Sequence, residues 1–195
     1  MNQPQAADDG SAIVVTAAAV RTALGASRAE ILRRAMARER SLAPSAALEG
    51  ARPDDRTYAC SGLSSGPDRA EDLLARVLAD ALEEAHLHEP ARRGSRRVQI
   101  VVGTTLHGMR HLGDYLRSGG AKGAGFLTPA SVASLAAARC GLPAGGVTVS
   151  TACASGITTI GIACDLLRLG DADVVLAGGY DPVSEFSYAG FESLR

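Results

Sequence analysis

The sequence predicts an α/β fold built on a largely parallel sheet. Short β-branched apolar runs recur at Ala12–Thr16, Arg97–Val102, Val147–Ser150 and Asp173–Ala177. Segments with helical periodicity separate them, most clearly Pro67–His86 and Gly156–Leu169. Strands that alternate with helices are joined by crossovers, the connection that parallel neighbours require.

Each element has a local reason. Residues 1–11 are polar and read as a flexible tail, and residues 12–195 read as one domain. Ala12–Thr16 has the composition of a buried strand. Ser27 and Glu30 have capping-box spacing and start a helix through roughly Arg40. Residues 41–66, rich in Ser, Pro, Gly and Asp, read as a long loop. In Pro67–His86, Ala70, Leu73, Leu74, Val77, Leu78, Ala81, Leu82 and Ala85 form one apolar face, with Asp and Glu on the other. Arg97–Val102 is the next strand and ends at Gly103. Thr128 and Pro129 offer an N-cap and first-turn proline for a helix that stops at Gly141. After the Val147–Ser150 strand, a helix from about Gly156 to Leu169 closes on Gly170 as its C-terminal cap. Asp173–Ala177 then runs into Gly178 and Gly179.

Bulk composition narrows the function classes. The chain has 195 residues, 46% hydrophobic and 21% charged, which is ordinary for a globular protein. With 20 basic against 21 acidic residues, no global field recruits nucleic acid or an anionic membrane. Lys122 is the only lysine among mostly arginine basic residues, a bias that genome composition explains. The apolar run from Ala12 to Val20 is short for a membrane span, and no signal peptide is visible, so the cytoplasm is the expected compartment. Cys60, Cys140, Cys153 and Cys164 show no paired spacing, and reduced thiols are the default there.

Ser150-Thr151-Ala152-Cys153-Ala154-Ser155-Gly156 places a cysteine between a strand and a helix. The positive end of a helix dipole favours thiolate there, and first-turn N–H groups can stabilise an oxyanion. Small neighbours Ala152 and Ala154 leave room for a thioester. The other open reading is a buried small hydrophobe, the commonest fate of a free cysteine. Cys60, Cys140 and Cys164 lack this context and read as packing residues.

Thr151-Ala152-Cys153-Ala154-Ser155-Gly156 resembles the nucleophile motif of β-ketoacyl-acyl-carrier-protein synthases, nearer the elongating type than the initiating type or the thiolases. Gly103-Thr104-Thr105-Leu106-His107-Gly108 resembles that family's glycine-rich loop. Ala177-Gly178-Gly179-Tyr180-Asp181, followed by Gly190-Phe191, resembles the segment after the nucleophile helix. Ile13 to Gly25 resembles the first strand and turn. The motifs stand in the family's order.

The resemblance implies the N-terminal half of a thiolase-like fold, with a mixed, largely parallel sheet and a buried nucleophile helix. It implies that Cys153 accepts an acyl group from an acyl carrier protein as a thioester, which is covalent catalysis. Malonyl carrier protein then loses carbon dioxide and its carbanion attacks that thioester. Leu106 and Phe191 would line the acyl pocket. No cofactor is called for. The chain also departs from the family. Ala17-Ala18-Ala19 stands in place of Gly-x-Gly, Ala23 replaces a proline, and the segment between Phe126 and Gly141 is shorter and lacks the family's asparagine. The family's two catalytic histidines and a supporting lysine belong to motifs of its second half, and His86, His88, His107 and His111 do not stand in them.

Those histidines have local readings. His107 and His111 have the i, i+4 spacing of metal ligands on a helix, but Gly108 and Gly113 argue against a helix, and only Asp114 is a nearby carboxylate. His86 and His88 lie at a helix end, where a cation suits the dipole. Arg92, Arg93, Arg96 and Arg97 suit either a solvated loop or an acidic carrier protein.

In Gly156–Leu169 every side chain but Asp165 and Arg168 is apolar, small or a threonine, so the helix needs cover on all sides. The expected partners are therefore an acyl carrier protein and a complementary C-terminal half or synthase subunit, in a dimer or larger assembly, with neither nucleic acid nor membrane. The alternatives are a non-catalytic subunit that shapes a complete synthase, whose mark would be loss of the nucleophile, a fragment of a longer enzyme, and a Cys–His hydrolase for which nothing orients His107 or His111.

Overall fold

A computed structural model describes residues 12–44, 56–58, 69–89, 94–106, 109–120, 130–143 and 145–194. The backbone divides into two compact units. The first draws on Leu78–Thr105 and Ala130–Tyr180, with the chain up to Ala18. The second draws on Ala19–Val77, Leu106–Pro129 and Asp181–Arg195.

The first unit holds a parallel sheet of order β4-β3-β5, with β3 at Val98–Gly103, β4 at Val147–Val149 and β5 at Val174–Gly179. The register pairs Gly103 with Val149 on one side and Gly179 on the other, so the strand ends lie level. Ile100, Val101 and Val102 are fully buried at the centre, which is why this run carries β-branched side chains of both parities. Helix α4 (Ala130–Arg139) packs on β3 and β4, and helix α5 (Ser155–Arg168) packs on all three strands. A Cβ at Gly103 would meet Ser155 of α5, whereas a Cβ at Gly146 would meet Ala133 of α4 beside Ile100. Gly103 and Ile100 are three apart on one strand and face opposite ways, so the helices cover opposite faces of the sheet.

Both helices end as their glycines require. Gly141 (φ 61°) and Gly170 (φ 70°) take left-handed backbone, and the N–H groups of Leu142 and Asp171 bond back to Ala137 and Leu166 at 2.9 Å each. Thr128 and Pro129 lie outside the described residues. Across the start of the sheet, Arg97 donates to both carboxylate oxygens of Asp173 (3.1 and 2.8 Å) and also to the Gly170 carbonyl.

Helix α2 (Arg69–Glu84) has Leu73, Leu74, Leu78 and Leu82 buried, as its periodicity predicts. Its N-terminal part belongs to the second unit and its C-terminal part to the first. In the second unit, α1 (Arg28–Met36) starts where expected, with Ser27 Oγ accepting from the Glu30 N–H. Glu30 Oε2 reaches the Ala26 N–H at 3.0 Å instead of that of Ser27. The helix stops short of Arg40 because Arg38 turns left-handed (φ 54°) and Glu39 bonds back to the Arg34 carbonyl. The turn Thr22–Gly25 closes with reciprocal backbone bonds of 2.9 and 3.1 Å.

Several expectations are corrected. Ala12–Thr16 is not a strand, and Val15 is 86% exposed. A β-branched run becomes a strand only where a sheet edge takes its backbone groups, and no described strand pairs with it. The 41–66 loop contains an antiparallel ladder between β1 (Leu42–Pro44) and β2 (Arg56–Tyr58). Such short pieces leave no readable period, and Pro44 sits at the ladder's end, where a missing N–H is tolerated. Met109–Arg117 is a helix, α3, despite Gly113. The space beside Gly113 is taken by the Phe186 ring, 3.0 Å from where a Cβ would stand, so that glycine serves packing and does not break the helix. Helix α6 (Glu185–Glu192) had no obvious start signal because its capping box uses serine in place of Glu or Gln. Ser187 Oγ accepts from the Ser184 N–H at 2.8 Å, and Ser184 Oγ accepts from the Ser187 N–H at 3.3 Å. Among the described residues no helix is long and apolar enough to cross a membrane.

Candidate active site

Cys153 lies in the first unit, in a 3₁₀ turn, Ala152–Ala154, between β4 and α5. Its side chain is exposed, whereas Cys140 and Cys164 are half-buried. Cys60 lies outside the described residues. The turn is tight because Ala152 holds φ at 52°, a left-handed conformation that costs a non-glycine residue on the order of 1–3 kcal/mol.

Hydroxyl groups surround that strained peptide. Ser155 Oγ accepts from the Thr151 N–H at 2.9 Å and donates to the Ala152 carbonyl at 2.7 Å. Thr105 Oγ1, from the loop after β3, donates to the same carbonyl at 3.1 Å. Thr158 Oγ1 donates to the Ala154 carbonyl at 2.9 Å and lies 3.1 Å from Thr151 Oγ1. At about 1 kcal/mol per bond, such a set is enough to offset the backbone strain. Two glycines let α5 come close enough. A Cβ on Gly103 would stand 2.7 Å from the Ser155 backbone, and one on Gly179 would stand 3.3 Å from Gly156 Cα.

One expectation of the sequence is narrowed here. The Ala154 N–H donates to the Thr151 carbonyl at 3.1 Å and the Ser155 N–H to the Ala152 carbonyl, so these two donors are engaged inside the turn. The helix also buries one face and not its whole surface. Ser155, Thr159 and Ala163 are buried, while Ile157 is 69% exposed and Ile160 is 51% exposed.

In the second unit, Leu106 is half-buried and its N–H donates to Asp181 Oδ1 at 3.0 Å, pinning the loop after β3 to the segment after β5. Phe191, on α6, is 74% exposed. His107 lies outside the described residues. His111 is buried on α3 with Nε2 3.2 Å from Glu71 Oε1 on α2. Glu71 thus leaves the solvated face that the helical pattern assigned to Asp and Glu. Its buried Oε2 has no hydrogen-bond partner among the described residues. Among the described residues, no three His, Cys, Asp or Glu side chains converge as metal ligands. His88 Nε2 lies 3.5 Å from Glu89 Oε1 at the surface.

Two features, one in each unit, escaped sequence reading. The clamp by Ser155 and the left-handed Ala152 are tertiary facts, signalled only by a hydroxyl two places after the cysteine. The Glu71–His111 pair joins side chains forty residues apart, and no local pattern marks it.

A parallel sheet covered by helices, with a cysteine on the strained turn into the central helix, defines an α/β protein of the thiolase-like class. Residues 64–195 match the family profile described as "Beta-ketoacyl synthase, N-terminal domain", more than half of the chain, and the protein belongs to that family. It is 29% identical over 143 residues to the tetracenomycin polyketide synthase ketoacyl synthase alpha subunit of Streptomyces glaucescens, covering 66% of this chain and 33% of that protein. It is 28% identical over 124 residues to 3-oxoacyl-[acyl-carrier-protein] synthase 2 of Vibrio cholerae, covering 59% of this chain and 30% of that one. The fold superposes on a β-ketoacyl synthase from Burkholderia phymatum with a TM-score of 0.74 at 23% identity, over 93% of this chain and 49% of the other. The chain spans about a third or less of the curated relatives it matches.

Proposed function

We propose that this chain supplies the nucleophile-bearing part of a β-ketoacyl synthase acting in fatty-acid or polyketide assembly. Residues 12–195 form its N-terminal ketosynthase-like domain. The Cys153 thiolate attacks the carbonyl of an acyl group carried by an acyl carrier protein. The carrier's thiol leaves, and the acyl group stays on Cys153 as a thioester. Malonyl carrier protein then breaks its bond to the carboxylate and releases carbon dioxide, and the resulting carbanion attacks the thioester carbonyl, whose C–S bond breaks to return Cys153 as thiolate. Leu106 and Phe191 border the acyl chain. The donors for the developing enolate come from a complementary C-terminal part, in a dimer or larger assembly.

The observation that carries this reading is the exposed Cys153 on a clamped strand-to-helix turn inside the family-matched span. The exposed apolar positions Ile157 and Ile160 on α5 support the complementary part, since a helix so placed favours association. The test assays two steps separately, with the chain alone and with a candidate complement. Acyl transfer from acyl carrier protein should label Cys153 in either case, read by mass spectrometry. Carbon–carbon bond formation should need the complement, because each lost enolate donor costs on the order of a hundredfold. Full condensation by the chain proven free of any partner would overturn the reading, as would an acyl label on another residue.

A further inference from the structure

We infer that Ser155 is a positioning residue for Cys153, its hydroxyl holding the turn from the far side of the cysteine so that the thiol stays aimed at an incoming acyl carbonyl. The inference rests on Cys153 being the nucleophile. Ser155 is 4% exposed, and its Oγ bridges two residues that precede the cysteine, the Thr151 N–H at 2.9 Å and the Ala152 carbonyl at 2.7 Å. Cys153 is therefore enclosed in a loop closed by one side chain.

A helix-capping role does not account for that hydroxyl. Ser155 is the first residue of α5, the N-cap is Ala154, and no side chain makes a cap bond there. The Ser155 hydroxyl faces back into the turn instead, onto the carbonyl of Ala152, which is held left-handed at φ 52°. Thr105 Oγ1 reaches the same Ala152 carbonyl at 3.1 Å from a different segment, so the peptide is gripped from both sides. Ser155 itself has nowhere to drift, since its backbone sits against Gly103. Without the hydroxyl, the Ala152 peptide is free to relax from its rare conformation, and Cys153 turns with it. Misplacement of a reacting atom by about an ångström costs on the order of a hundredfold in rate.

The experiment measures single-turnover acylation of the full chain by an acyl N-acetylcysteamine thioester, over a range of thioester concentrations. Ser155→Ala is expected to lower the rate at saturation at least tenfold with the half-saturating concentration unchanged, and Ser155→Thr, which keeps the hydroxyl, to restore most of it. A residue that merely stabilised the fold would not give that split or that rescue. If Ser155→Ala does not fold, Thr105→Val tests the same carbonyl from outside the helix, and it too should lower the saturated rate. A saturated rate within twofold of the parent in the folded variants overturns the positioning role and leaves Cys153 standing. Acylation that persists in Cys153→Ala overturns both.

Discussion

Gly103 is expected to be the least replaceable glycine of the sheet. A Cβ there would lie 2.7 Å from the backbone carbon and oxygen of Ser155 and 3.1 Å from its Cβ, where ordinary contact begins at 3.4 Å. The near atoms are backbone, so no rotamer change relieves the clash. In Gly103→Ala the start of α5 must retreat by about 0.7 Å, the difference between 3.4 and 2.7. Overpacking of this kind costs about 1–3 kcal/mol. The retreat also strains the turn, because Ser155 carries the 2.7 Å bond to the Ala152 carbonyl. Gly161→Ala is the matched control on the same helix. A Cβ there meets nothing within 4 Å, and helix propensity favours alanine by about 0.5–1 kcal/mol. Denaturant unfolding of the two variants should therefore move in opposite directions, and iodoacetamide labelling of Cys153 should slow only in Gly103→Ala. Equal stability of Gly103→Ala and the parent, with unchanged labelling, would refute the close approach on which this reasoning rests.

Other perturbations probe separate parts of the molecule. His111→Leu should cost on the order of 3 kcal/mol because it leaves the Glu71 carboxyl buried and unpaired, while Glu71→Leu together with His111→Leu should recover most of the loss in an unfolding assay. The Arg97 side chain, then its backbone N–H, holds the Asp173 carboxyl down at about 2. A lowered carboxyl adds stability above the unfolded-state value of roughly 4 and loses it as pH falls through the folded value. The advantage of the parent over Asp173→Asn should therefore be full at neutral pH and fade between about pH 4 and pH 2, and an advantage that survives below that window would be evidence against the pairing. On the proposed function, Leu106→Phe should shorten the acyl chain accepted, read from the product profile of the assembled enzyme, since added volume at a residue bordering the chain leaves it less room. An unchanged profile at full activity would remove Leu106 from the pocket.

The elements legible in the sequence were those whose signal is local. The period of Leu73, Leu74, Leu78 and Leu82 marks α2 because one helix face meets the core regardless of what covers it. Gly141 and Gly170 mark helix ends because a left-handed residue is needed there whatever follows. The run at 98–103 reads as a strand apolar on both faces because it is the central one of the described sheet, whereas 174–179, beside it, is legible from its β-branched apolar run alone. The cysteine motif was legible for the same reason. Its resemblance to the family motif rests on a fixed order of small residues over a few positions.

What the tertiary structure alone decided depends on partners distant in the chain. Val14 and Val15 have strand composition, yet they form no strand, since pairing is a property of the edge that receives them. Gly113 looked like a helix breaker until Phe186 occupied the space it leaves. Glu71 fitted a solvated helix face, and only the approach of α3 brought His111 to its carboxylate. The hold on Cys153 is of this second kind. The residue types are written within seven positions, but the strain at Ala152, the grip of Thr105 and the seat of Ser155 against Gly103 arise only when β3 and α5 are stacked. Chain-local sterics determine where helices and turns begin and end, whereas long-range packing determines which polar groups are buried together, and that second choice shapes the site.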